Sequence, residues 1–173
     1  MPDLSVLANI SEILGGVAIL AGGIFAVIQL NEFREQRRQA AAVELVRSFS
    51  EPAHANAVNL LQELPDGASA ELLRSKGREY ERAATMIAIT YETMGVLVFR
   101  RMASFAMVRE LTGGLTVVMW RKLGVWVNTV RQEQGHRSFA EWFQWLADRL
   151  ARESAEKEAH PAHEKYADWR PRD

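Results

Sequence analysis

A few clusters of residues in this sequence have the types and spacing from which chemistry is made. Near the C-terminus, His160-Pro161-Ala162-His163-Glu164 brings two imidazoles and a carboxylate into one short stretch. Such a set could ligate a metal if a helix aligned it. Pro161 interrupts that helix and the surroundings are polar, so solvated surface is the expected outcome. His54 and His136 are isolated. Glu92, beside Tyr91, is the one acid set within an apolar stretch, where a carboxyl with a shifted pKa could serve as a general base. A structural role, paired with a core arginine such as Arg131 or Arg100, is the stronger expectation. Glu12 stands at the head of an apolar run beside Asn9 and Ser11, where it can reach headgroups and water as a boundary marker or helix N-terminal charge.

Other chemistries lack their residues. The 173-residue chain has no cysteine, which removes disulfides, thiol catalysis and cysteine-ligated clusters together. Gly113-Gly114 is followed by neither the lysine nor the hydroxyl of a phosphate-binding loop, and no serine lies in a nucleophile elbow. Lysine and arginine total 21 against 22 acids, a net charge of −1, without the cationic surplus of a nucleic-acid-coating protein. The expectation is a protein that is not an enzyme, with no catalytic residues, no cofactor, no metal and no nucleic-acid partner.

The elements that must position these residues begin with a very apolar block. From Ile13 to Leu30 the chain reads ILGGVAILAGGIFAVIQL, uncharged and with only Gln29 polar. Eighteen helical residues rise about 27 Å, close to the hydrocarbon thickness of a bilayer. A buried core helix would need more protein around it than this chain supplies, and a signal peptide would need a positive start where Asp3 stands instead. The block is therefore expected to be a transmembrane helix over residues 12–30, after a short extracytoplasmic N-terminus, residues 1–11. Arg34, Arg37 and Arg38 follow at once, anchor the helix end at the membrane interface and set the C-terminal side in the cytoplasm. Gly15, Ala18, Gly22 and Ala26 place small residues on one face, an expected helix–helix interface with a second copy or another membrane protein.

Beyond the span, apolar spacing is helical throughout. Ala42, Leu45, Val46 and Phe49 continue the first helix, and Ser50 with Pro52 reads as a stop and restart. A short helix through Ala57, Leu60 and Leu61 ends at Pro65-Asp66-Gly67, and Ala68 to Arg74 forms another before Gly77. Tyr80, Ala84, Ile87, Tyr91, Met94 and Val98 share one face of a long central helix. Ser104 starts a short helix ending at Gly113-Gly114, and Met119, Leu123, Trp126 and Val130 line the next, which Gly135 stops. Ser138 and Glu141 match a capping box for a last helix with Phe139, Trp142, Phe143, Leu146 and Leu150 inward. Trp120 and Trp145 fall off the inner faces and are a candidate partner surface, against core filling or a place along the membrane interface; Arg100 and Arg101 could face lipid headgroups or an acidic partner, with solvated surface the default. The fold class is all-α: an N-terminal single transmembrane helix continuing into a cytoplasmic helical bundle over residues 31–153, with a polar tail over 154–173.

The layout resembles a family of bacterial single-span inner-membrane proteins known only as a domain of unknown function. The likeness rests on Glu12, the glycine-rich span, Gln29-Leu30, the arginine-rich helix, Tyr91-Glu92, and Trp120, Arg131 and Gly135 before an aromatic closing helix, roughly Ser11 to Leu150. It implies a bacterial inner-membrane anchor with a cytoplasmic helical domain and brings no catalytic residues. The expected function is a scaffold, assembly factor or accessory subunit of a membrane complex. A regulatory or defence-type effector that senses a ligand or stress through its bundle is the alternative.

Overall fold

The computed structural model describes residues 22–30, 32–33, 51–156 and 162–171, and every regular element among them is helical. The chain divides into two units, Met1–Ala41 and Ala42–Asp173. In the first, residues 22–30 and 32–33 are helical. Their large apolar side chains are open, from Ile28 at 50 % exposed to Ile24 and Phe25 at 63 %. Residues 12–21 of the expected span lie outside the described residues, as do Gly15, Ala18, Arg34, Arg37 and Arg38. Among the described residues no helix is long and apolar enough to cross a membrane.

The second unit is a helical bundle: α1 (Pro52–Gln62), α2 (Ala70–Lys76), α3 (Arg78–Phe99), α4 (Phe105–Gln134), α5 (Glu141–Glu156) and the single turn α6 (Ala162–Lys165). Local chemistry sets the early boundaries. Pro52 enters α1 behind Glu51, which holds the extended N-cap conformation; Ser50, expected there, lies outside the described residues. The Ser69 hydroxyl accepts the Leu72 N–H at 3.2 Å and starts α2. Gly77, at φ 125°, separates α2 from α3 in a conformation that side chains avoid.

α3 is the central rod, packed against α1, α2, α4 and α5. All six residues expected on its inner face are buried, as are Met119, Leu123, Trp126 and Val130 of α4. Leu61, Leu73, Phe143, Leu146 and Leu150 close the core from α1, α2 and α5.

Two expectations need correcting. Gly113-Gly114 does not end a helix, because α4 runs through the pair as one 30-residue element. Each glycine costs about 1 kcal/mol of helix propensity, but Val108, Thr112, Thr116 and Met119 bury the face on both sides and hold the helix through it. Ser138 does not form a capping box: it lies in a turn, its carbonyl accepting the Glu141 N–H at 3.2 Å, and α5 starts at Glu141. The last helix runs on to Glu156, three residues into the stretch set apart as a polar tail.

Candidate functional site

α3 presents chemically different surfaces to its surroundings. On the side facing α5, the Glu92 carboxylate accepts the N–H groups of Trp142 at 2.8 Å and Phe143 at 2.9 Å. These are first-turn amides with no partner inside their own helix, so an acid from another helix caps α5 in trans. Three residues on, Gly95 lets the backbones meet. A Cβ there would stand 2.7 Å from the Trp142 carbonyl carbon and closer still to its oxygen. Burial raises the Glu92 carboxyl above its usual range, against the opposing pull of the two amides and of Arg131.

Arg131 does not form the expected ion pair with Glu92. Its guanidinium donates to the Phe139 carbonyl at 2.7 Å and to the Gln144 side chain at 2.9 Å, tying the α4–α5 turn to α5. Arg100, the other expected partner, is exposed at the far end of α3. Glu92 therefore has the expected structural role with a different partner. Reading only for side-chain cations misses it; an acid three residues before a helical glycine is the signal of a close crossing.

On the core side, Tyr91 stacks on Phe143 at 5.1 Å and meets the edge of buried His54 at 6.2 Å. Thr112 and Thr116 of α4 bond back to the Val108 and Thr112 carbonyls at 3.1 and 2.9 Å. Burial raises the Tyr91 phenol, partly offset by a hydrogen bond with Thr116, and burial lowers the His54 imidazole.

The third side of α3 borders a cleft of about 790 Å³. Arg74, Arg78 and Arg82 stand along it, Met86 and Ile89 continue it, and Trp126, Val130 and Phe139 line the other wall. Arg74 is braced by both oxygens of Glu133, at 3.0 and 2.5 Å, and reaches Glu81 at 3.3 Å. A smaller hollow of about 400 Å³ shares Ile89 and Phe139 with it and is lined by Glu92, His136 and Ser138. This arrangement can hold a ligand that is acidic at one end and apolar at the other.

The expected sites fare unevenly. Gly22 and Ala26 are helical and exposed, and a Cβ on Gly22 would meet nothing within 4 Å. Trp120 and Trp145, expected as a partner surface, are both half-buried. Trp120 packs edge-on to Phe143 at 5.1 Å, while Trp145 meets Phe99 at 5.9 Å and lies under the Arg149 guanidinium. His163 is exposed beside Glu164 at 3.7 Å, and His160 and Pro161 lie outside the described residues. No cluster of three or more His, Asp or Glu side chains among the described residues is placed to hold a metal ion.

The family model described as a domain of unknown function (DUF4760) matches residues 16–150. The chain belongs to that family. The match ends at Leu150, the last residue of α5 described as buried, so the DUF4760 region takes in the core formed by the described residues. It also takes in most of the apolar block, starting at Gly16, five residues later than the resemblance suggested. No curated protein and no solved structure matches the chain.

Proposed function

We propose that this DUF4760 protein is a membrane-anchored helical interaction protein, serving as scaffold, assembly factor or accessory subunit of a membrane complex. In this reading residues 12–30 span a bacterial inner membrane once, N-terminus outside, with the bundle in the cytoplasm. The observation that carries it is the helical stretch 22–30, whose large apolar side chains are all at least half exposed. Such a helix needs an apolar solvent or a partner helix, and the open face at Gly22 and Ala26 suits close backbone approach. The family model gives support by extending over both the apolar block and the bundle.

Purification in native nanodiscs, with mass and protein content determined together, tests the reading. The parent chain is expected as a homo-oligomer or in stoichiometric company with another membrane protein, and Gly22→Leu is expected to dissociate that assembly. An unchanged complex mass in Gly22→Leu removes the span interface. The arginine-edged cleft favours a second reading, a bundle that senses an acidic ligand. It predicts a change in fluorescence of Trp126, which lines the cleft, and a flat response across a metabolite panel counts against it.

A further inference from the structure

The C-terminal end of α3 and the turn into α4 combine features that the interior does not use. From Thr93 to Arg109 the sequence contains three arginines and no acid, in a chain whose net charge is −1. Arg109 is taken up by Glu153 at 2.6 Å and Glu110 at 3.5 Å. Arg100 and Arg101 are exposed and form no ion pair among the described residues. The side chains flanking them, Phe99 and Met102, are 52 and 56 % exposed. Phe99 is the outer member of an aromatic shelf, 4.5 Å from Trp142 and 5.9 Å from Trp145, with the Arg149 guanidinium over Trp145.

The turn is also closed by backbone hydrogen bonds. Arg101 N–H donates to the Val98 carbonyl at 3.0 Å and Met102 N–H to the Leu97 carbonyl at 2.8 Å, the paired bonds of a Schellman helix end. Arg101 takes the left-handed position of that motif, φ 59°, where glycine is the usual residue. An arginine there adds backbone strain that the fold itself does not require.

We propose that this turn is a second membrane contact, docking the bundle on the anionic headgroups of a bilayer. Arg100 and Arg101 would pair with lipid phosphate oxygens, while Phe99 and Met102 enter the interfacial layer above the tryptophan shelf. The local charge argues for this occupant: a slightly acidic chain is repelled by an anionic surface except where unpaired cations stand together without acids. Apolar side chains flanking those cations fit a headgroup layer, which offers phosphate and hydrocarbon within one side-chain length. The inference deepens the membrane reading and rests on it.

The absence of cysteine makes the test clean. The full chain carrying Met102→Cys is labelled with a fluorophore and placed in nanodiscs of phosphatidylcholine, with or without an equal part of phosphatidylglycerol and a nitroxide-bearing lipid. A second label at Met86→Cys, also exposed on α3 but bordering the cleft, is the reference. With phosphatidylglycerol present, lipid-borne quenching at position 102 is expected to exceed that at 86 by about threefold or more. In pure phosphatidylcholine the excess shrinks. It is also lost in Arg100→Gln/Arg101→Gly, a pair that suits the left-handed turn better than the parent and so leaves the fold intact. Equal quenching at the two positions overturns the proposal. So does a label at 102 that stays open to aqueous iodide in both lipids, or one shielded only in source membranes, which would point to a protein partner. A chain that does not stay in the disc overturns the anchor instead. The same label then shows whether the free chain meets phosphatidylglycerol vesicles through the turn, and no quenching there overturns the turn as well.

Discussion

Phe99 follows Glu92 by seven positions on one helix, yet the two places are built on opposite terms. Around Glu92 and Gly95 the partners come from inside the protein: the carboxylate takes two amides of α5, the glycine admits the Trp142 backbone, and Tyr91 is stacked on Phe143. Around Phe99 to Met102 the backbone is satisfied but the side chains are not, since two arginines have no carboxylate among the described residues and a phenylalanine and a methionine face outward. An acid in an apolar stretch, the usual flag for chemistry, is here a structural cap. The plain-looking FRRM turn is the part left unfinished by folding.

Breaking the closed end should have the largest effect. Gly95→Ala places a methyl group against backbone atoms of Trp142, which cannot rotate away, so α5 must shift from α3. Alanine gains about 1 kcal/mol in helix propensity. Because the clash is with backbone, the overpacking cost lies at or beyond the usual upper end of about 3 kcal/mol, and a net loss of at least about 2 kcal/mol is expected. Urea unfolding followed by circular dichroism reads it directly. A midpoint equal to or above the parent's would show that the crossing is looser than the structure has it.

The cap comes next. Glu92→Ala leaves two first-turn amides without an acceptor and is expected to cost about 2 kcal/mol. Glu92→Gln keeps one carbonyl oxygen in place and should lose about half as much. The ordering matters more than either value, because an ion pair with Arg131 would make the two variants equal. Unfolding midpoints for both, measured beside Arg131→Met, separate the alternatives.

Much of the bundle was legible because buried faces repeat at helical spacing. The six inner residues of α3 follow from periodicity alone, and Gly77 and Gly135 punctuate the chain by known backbone rules, whereas the Ser69 cap emerged only with the structure. Local rules failed where distant contacts decide. Gly113-Gly114 looks like a stop only until Leu150 is seen 3.4 Å from the place a Cβ on Gly113 would occupy, inside a packed helix pair. Ser138 and Glu141 have capping-box spacing, but the amides beyond them are claimed by Glu92, some fifty residues earlier. The cleft was not foreseen at all, because Arg74 and Arg82 gain meaning only beside Trp126 and Phe139 from the far end of α4 and its following turn.

The smallest expected effect concerns protons in the closed region. His54 is buried against Tyr91, and burial lowers its pKa from the ordinary 6.5. The unfolded chain then binds the proton more readily than the folded one, so the imidazole's contribution is full above pH 6.5 and is lost as pH falls through the folded value. Glu92 acts in the opposite sense. Its raised carboxyl holds a proton more tightly when folded, so that contribution is present in acid and lost as pH rises. The two oppose each other, and the parent's pH profile alone cannot assign either. Urea midpoints between pH 7.5 and 5 for the parent and for His54→Gln give a difference that isolates the imidazole. The parent is expected to lose stability relative to the variant as pH drops. Parallel curves would mean that His54 keeps an ordinary pKa and that the α1–α3 contact admits water. Arg100→Gln/Arg101→Gly should leave this slope unchanged, because the turn shares no titrating group with the core.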